Sequence, residues 1–532
     1  MMVFYLLLSG INYISIVEKL HIFVYLFYKL YMDKNKRIVK NTIFLYIRML
    51  ITMGVTLYTS RVVLNILGVE DFGIYNITGG IVVLFSFLNT AMSNATQRFL
   101  SFELGKNDIE QLKRTFCMSI NAHISIALLV LFLSETVGLW FINSQLNIPT
   151  SKMVATNWVY QFSVFSFLVS IIRVPYNASI IAYEKMSFFA SISILEAIFK
   201  LLIVFLLTIS IAQKLIFYSI LTFSVILICT IIYKIYCNKH FIITRYNFFW
   251  DKELYKRLMS FSAWSMLGGA TNIGAQQGGN ILLNIFYGVS VNTAFGLANQ
   301  VSNAIYGFVS NFQLAFNPQI IKYYANKEID KFNKLIFTTS LFSYYLILII
   351  AIPFLFNTEF ILLLWLKNVP SHTVVFCQLM MIYFLIDAIQ GPLWMSIYAT
   401  GNIRIYQIWL SILLILNIPI SYFLLKNGHN PCVVLIVRVC LNFISGIARI
   451  IYVNYFLNFP STNYLKAVVL KATIVSLIVL SFSFIAKFSL NGNLNFLLII
   501  ISIISTIIII YLIGITKHER IIIINLLQYF KK

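Results

Sequence analysis

The sequence is short of charge. Of its 532 residues only 11% are Asp, Glu, Lys or Arg, while 60% are hydrophobic. A soluble domain carries about 25% charged residues and must offer water a polar exterior. With a mean hydropathy of +0.87, the chain excludes a water-soluble fold. Carboxylates are scarcest: 17 Asp and Glu stand against 39 Lys and Arg, giving a net charge of +22. Cysteine is sparse too. Cys117, Cys229, Cys237, Cys377, Cys432 and Cys440 form no CxxC, and none sits with histidine at metal-ligand spacing. No metal site is expected, and the cysteines read as small apolar helix residues. Long polar stretches are missing. The longest loop, about 237–257, has no room for a soluble catalytic domain. No catalytic residues and no cofactor are expected, which argues against a membrane-embedded glycan-assembly enzyme.

What is present is a series of apolar runs, each long enough for a helix to span about 30 Å of hydrocarbon. The short alternating segments of a membrane β-barrel are absent. The expected fold is an all-α polytopic membrane protein of about fourteen spans, at 41–67, 73–100, 115–142, 154–182, 187–211, 214–236, 258–286, 291–321, 335–356, 372–399, 403–425, 431–456, 464–487 and 494–515. Lys and Arg crowd alternate loops: Lys106, Lys113 and Arg114; Lys239 and Arg245; Lys322 and Lys327; Lys517 and Arg520. This bias predicts that those loops and both termini are cytoplasmic. It also assigns most of the positive charge to topology rather than nucleic acid. Residues 1–31 are apolar and fit a signal peptide poorly, whereas Met32 opens a basic stretch. Translation is expected to start at Met32, or 1–31 to be interfacial.

The two halves lie on each other without a gap for about fifty residues. Gly68-Val69 falls on Gly288-Val289, Ala95 on Ala315, and the loop from Lys106 to Glu110 on that from Asn326 to Asp330. Further on, Pro175 and Ala182 fall on Pro392 and Ala399. The reading is two parallel six-helix repeats: an N-lobe at 32–236 and a C-lobe at 258–456, joined by a cytoplasmic loop at 237–257. Two further spans and a tail occupy 457–532. Parallel repeats place a pathway between the lobes, near the midplane.

Polar residues inside a bilayer face protein or water. They concentrate in the leading pair of spans of each half. Candidates for a hydrated lining are Thr52, Thr56, Asn89, Asn94, Asn272, Gln276, Asn280, Asn299 and Asn303; polar glue between helices is the alternative. Glycines at Gly268, Gly269, Gly274, Gly278 and Gly279 suggest a bendable or broken helix, or else close packing. Arg48 and Arg173 lie inside spans, with Arg61 and Arg438 towards the outer side. Buried arginine is expensive without an anion or water, and guanidinium suits bidentate phosphate contact. A cationic cavity for an anionic, phosphorylated substrate follows, unless Arg48 or Arg173 is paired with Glu196. Asp387, Glu135 and Glu196 could instead carry protons or bind a coupling cation such as sodium.

At Thr59–Asn76 (TSRVVLNILGVEDFGIYN) and Asn94–Lys106 (NATQRFLSFELGK) the chain resembles the lipid-linked oligosaccharide flippases, the Wzx-type O-antigen transporters of the multidrug/oligosaccharidyl-lipid/polysaccharide exporter superfamily. The resemblance runs from about Met32 to the end. It implies a V-shaped pair of lobes plus two C-terminal helices, and alternating access in a bacterial inner membrane. The implied substrate is an undecaprenyl-diphosphate-linked oligosaccharide destined for lipopolysaccharide or another surface polysaccharide. Implied partners are membrane lipid, a glycan polymerase and glycosyltransferases, with no nucleic acid. The rival within the superfamily, a multidrug or cation antiporter, should show acidic cavity residues.

Overall fold

The computed structural model describes residues 34–83, 86–144, 149–209, 213–366, 369–489, 494–516 and 520. The expected start at Met32 and segment 1–31 lie outside the described residues. Every element among the described residues is helical. Hydrocarbon offers the backbone no hydrogen bonds, so a spanning segment must satisfy its own, and a helix does so.

The first half opens with α1 (Lys34–Val83), two helical arms joined at Gly68, where φ is 78° and ψ 171°. It continues through α2 (Ser86–Lys106), α3 (Ile109–Leu133), α4 (Leu139–Ser144), α5 (Met153–Ala182), α6 (Met186–Ile209) and α7 (Lys214–His240). The second half opens with α8 (Lys252–Ala325), again two arms, joined at Gly288 with φ 77° and ψ −170°. Then come α9 (Ile329–Phe356), α10 (Thr358–Leu366), α11 (Thr373–Thr400), α12 (Arg404–Ile415), α13 (Asn417–Lys426) and α14 (Val433–Leu457). The chain ends in α15 (Ser461–Tyr464), α16 (Lys471–Ser489) and α17 (Asn495–Ile509). Among the described residues, ten helical stretches are long and apolar enough to cross a bilayer. The protein is a multi-pass membrane protein. Neither α1, α2 nor α8 belongs to those ten; their Asn, Gln, Thr and Arg residues dilute the apolar ones.

The sequence correspondences reappear as matching backbone. Gly68 and Gly288 adopt the same left-handed break, which only glycine enters without a steric penalty. Asn107 and Lys327, at the same offset, both turn with positive φ of 57° and 58°, and α3 and α9 start two residues later. Glu184 and Gly401 also share a positive φ, after the helices that contain Pro175 and Pro392. The interruption expected at Gly268–Gly279 lies elsewhere: α8 stays helical there and breaks at Gly288. Close approach accounts for two of those glycines. A Cβ at Gly278 would stand 2.6 Å from Ile418, and one at Gly268 only 2.1 Å from the Gln407 side chain.

The halves share one core at the end carrying the basic loops. There Leu45, Phe99 and Ile181 of the first half pack with Phe261, Phe316 and Leu393 of the second. At the opposite end each half has its own. Ile74, Val159 and Leu215 cluster in one, and Leu283, Phe295 and Leu362 in the other. The halves are thus joined at the basic end. The last helices pack outside, with Tyr345 of α9 donating to the Gly514 carbonyl at 3.1 Å and Tyr344 meeting Ser476 at 2.5 Å.

Candidate functional site

Arg48 lies on the first arm of α1, with Thr52 and Thr56 following at one-turn intervals on the same face. Each threonine hydroxyl donates to the carbonyl one turn back, at 2.8 Å to Arg48 and 2.7 Å to Thr52. Their oxygens therefore point into the space beside α1 without an unsatisfied donor. Helices α5, α6 and α7 close the other walls. The result is a cavity of about 330 Å³ lined by Arg48, Thr52, Thr56, Arg173, Asn177, Phe189, Ser193, Glu196, Ala197, Lys200 and Tyr233.

Its charge is unbalanced: two arginines and a lysine face one carboxylate. Glu196 is shared, 3.3 Å from Arg173 Nη1 and 3.2 Å from Lys200 Nζ. The ion-pair alternative therefore describes Arg173 in part. It does not describe Arg48. The Arg48 guanidinium donates from Nη2 to Asn311 Oδ1 of α8 at 2.8 Å and lies 4.7 Å from the centre of the Phe189 ring. Its Nε is buried without a hydrogen-bond partner. One neutral amide thus meets a half-buried cation, and the same contact ties the first half to the second.

Of the residues expected from sequence, the structure gathers Arg48, Thr52, Thr56, Arg173 and Glu196 into this cavity. The others lie apart from it. Arg438 sits in the second half, 4.5 Å from the centre of the Tyr383 ring. Arg61 is on α1, but its side chain falls outside the described residues. Asn89 and Asn94 are half-buried on α2, and Asn89 keeps an unpartnered Oδ1. Gln276 donates to Asn299 at 3.0 Å, joining the two arms of α8. Asn280 is half-buried, and Asn272 and Asn303 are exposed. Asp387 accepts from Tyr306 at 2.5 Å, and the exposed Glu135 accepts from Gln161 at 3.0 Å.

Sequence reading missed Asn177, Ser193 and Tyr233 as lining residues. The first two carried a signal: Asn177 is one turn from Arg173, and Ser193, Glu196 and Lys200 make one helical stripe. It also missed a network in the second half. Arg449 donates to Tyr406 at 3.1 Å and to Gln390. Gln390 in turn donates to the Asn442 carbonyl at 3.1 Å. Asn442, Ser445 and Arg449 share a face of α14, a stripe visible in the sequence.

Residues 38–323 match the family described as polysaccharide biosynthesis protein. The chain belongs to that family. No curated protein matches the sequence. Among solved structures, this family member has the fold of transporters of the MOP superfamily, the exporter superfamily named above. It is similar to an outward-facing multidrug resistance transporter of the MATE family in that superfamily, at 12% identity and TM-score 0.66, covering 78% of this chain and 94% of that one. A MOP-superfamily transporter from Pyrococcus furiosus, described by the reversed polarity of its binding pocket, superposes with TM-score 0.63 at 12% identity, covering 80% and 96%. A Vibrio cholerae MATE transporter variant gives TM-score 0.65 at 16% identity, covering 80% and 97%.

Proposed function

We propose that this protein flips an undecaprenyl-diphosphate-linked oligosaccharide across the bacterial inner membrane, for lipopolysaccharide or another surface polysaccharide. The carrying observation is the Arg48 pocket, where cations outnumber the single carboxylate. A diphosphate supplies the missing negative charge, and guanidinium is built to bind it bidentately. Thr52, Thr56, Asn177 and Ser193 are neutral hydrogen-bonding groups suited to sugar hydroxyls. A cation antiporter would need the opposite charge balance here. Membership of a polysaccharide biosynthesis family supports a glycan cargo over a drug.

The reading takes the halves as two parallel six-helix lobes, at 32–236 and 258–456, followed by two extra spans. The paired breaks at Gly68 and Gly288 support that repeat. It counts fourteen spans, because each arm of α1 and α8 is one crossing or part of one. The basic loops are cytoplasmic, so the shared core closes the cytoplasmic side and a cleft faces outward. Alternating access then exchanges which end is joined. Asp387, held by Tyr306, and Glu135 remain the candidates for coupling to a proton or sodium gradient.

Reconstitution with a fluorescent lipid-linked oligosaccharide tests this reading. Wild-type vesicles should expose the headgroup to an external quencher or glycosidase. Arg48→Ala should insert normally and flip poorly. Equal flipping by wild type, Arg48→Ala and empty vesicles would overturn the assignment.

A further inference from the structure

Two cross-contacts close the basic-loop end, at corresponding places in the two halves. In one, α8 docks on the turn at Glu184. Lys322 donates to Glu184 Oε1 at 2.6 Å, and Gln319 donates to Oε2 at 3.2 Å. That junction is neutralised internally. In the other, α2 docks on the corresponding turn, where Gly401 stands in the place of Glu184. There Arg98 Nη2 donates to a neutral acceptor, the Ala399 carbonyl, at 3.0 Å. A Cβ at position 401 would come within 2.5 Å of that guanidinium, so no side chain could supply a carboxylate without displacing it.

Arg98 is 6% exposed, and its Nε has no partner. Its guanidinium carbon lies 4.6 Å from the centres of both the Phe99 and Phe102 rings. It borders a cavity of about 670 Å³, whose rim brings Lys106, Lys256, Arg257 and Arg404 together with a single acid, Glu103. Arg404 rests 5.4 Å from the centre of the Trp264 ring, and Lys106 lies 4.6 Å from that of Phe102. Aromatic faces hold these cations while leaving their donors available. Among the described residues no ion pair joins any of the five to a carboxylate.

We propose that this cavity is a phosphate-binding site, separate from the Arg48 pocket, which takes the headgroup of an anionic phospholipid or free phosphate at the membrane surface. Its donors come from α2, from the start of α8 and from the first residue of α12. A bound phosphate therefore crosslinks the two halves where Gly401 supplies no carboxylate and Glu103 alone faces the cations. The ligand does for Arg98, Arg257 and Arg404 what Glu184 does for Lys322. Basic pockets between membrane helices at the cytoplasmic surface suit such headgroups. Placing the cavity on the cytoplasmic side rests on the orientation proposed above, whereas its affinity for phosphate does not.

The test uses purified full-length protein in neutral detergent, read by native mass spectrometry and thermal melting. Phosphatidylglycerol should be retained and should raise the melting midpoint, and phosphatidylcholine should do neither. The double variant Arg257→Gln/Arg404→Gln should melt as wild type without lipid and retain phosphatidylglycerol about a hundredfold more weakly, since each of the two charge-assisted bonds contributes about tenfold. Glu103→Gln should retain it at least as well as wild type. Displacement by millimolar inorganic phosphate would identify free phosphate as a ligand, and resistance to it would identify the lipid. Equal retention of the two lipids, or a double variant that binds like wild type, would overturn the proposal. So would loss of retention in Arg48→Ala, which would place the lipid in the other pocket. Failure of flipping with normal lipid retention would count only against the transport reading.

Discussion

The interiors of the two halves hold the same kinds of residue and use them differently. In the first half, Arg48, Arg173 and Lys200 surround an open cavity and share Glu196. In the second half Arg449 is buried, and Tyr406 and Gln390 accept its donors. Asp387 there is occupied by Tyr306. One interior keeps its cations beside an open cavity, while the other ties Arg449 into hydrogen bonds between helices. The basic-loop junctions divide in the same manner, with Glu184 satisfying one and Gly401 leaving the other open.

The largest expected effect breaks the rigid side. Arg449→Ala removes a buried donor from Gln390 and from Tyr406; Ser445 still donates to Gln390 Oε1 at 3.3 Å, so the Tyr406 oxygen loses its donor outright and Gln390 keeps the weaker of two. Buried polar groups stranded in this way cost about 1–3 kcal/mol each, so the variant should melt well below wild type in detergent. Flipping per folded molecule should change little. If flipping collapsed while melting stayed normal, Arg449 would belong to a binding site and the contrast between halves would fail.

Next comes the binding side. Arg48→Ala removes one hydrogen bond to Asn311 and the charge nearest that junction, so stability should fall little. A charge-assisted contact contributes about 1.5–3 kcal/mol, which is about ten- to a hundredfold in flipping rate. Arg48→Lys should recover part of that loss, because ammonium keeps the charge but not the bidentate geometry. Full recovery would mean that charge alone matters at this position.

The paired breaks give a smaller and more symmetrical effect. Gly68→Ala and Gly288→Ala each force a side chain to positive φ with extended ψ, a region essentially reserved for glycine, at about 1–3 kcal/mol. Open space surrounds both positions, so the penalties should be equal and additive by melting. Unequal penalties would argue that the two arms are not equivalent parts of a repeat.

How much of this could be read in the sequence follows from the range of each signal. Helix positions were legible because an apolar run of bilayer length has one outcome. The expected span 154–182 falls within Thr150–Ala182, and 431–456 became Val433–Leu457. The paired breaks were legible because Gly68 and Gly288 mark a backbone conformation open to glycine. The cavity was only half legible. Arg48 and Arg173 stood out as charges within apolar runs, but nothing local separates Arg173, beside Glu196, from Arg438, against Tyr383. That distinction depends on which helix lies opposite, as does the choice between lining and glue for Gln276 and Asn299. The glycine-rich stretch misled for the same reason: Gly268 and Gly278 answer to Gln407 and Ile418, residues on helices that follow far along the chain.

The smallest effect is also the sharpest, because its sign separates the two accounts of the first-half cavity. Glu196→Gln keeps the shape of the side chain and removes the one carboxylate among the lining residues. If the cavity binds a diphosphate, Glu196 opposes it, and its loss should tighten binding of a fluorescent lipid-linked oligosaccharide. The pairs it breaks are partly exposed, with side-chain exposures of 24% for Arg173 and 22% for Glu196. Such pairs contribute no more than about 1 kcal/mol, so the gain should be about twofold to fivefold in affinity. If instead Glu196 serves mainly to hold Arg173 and Lys200 against α6, the variant should lose stability and bind no better. A melting midpoint close to wild type together with tighter binding supports the anion pocket, whereas the reverse pair of results would return these residues to a structural role.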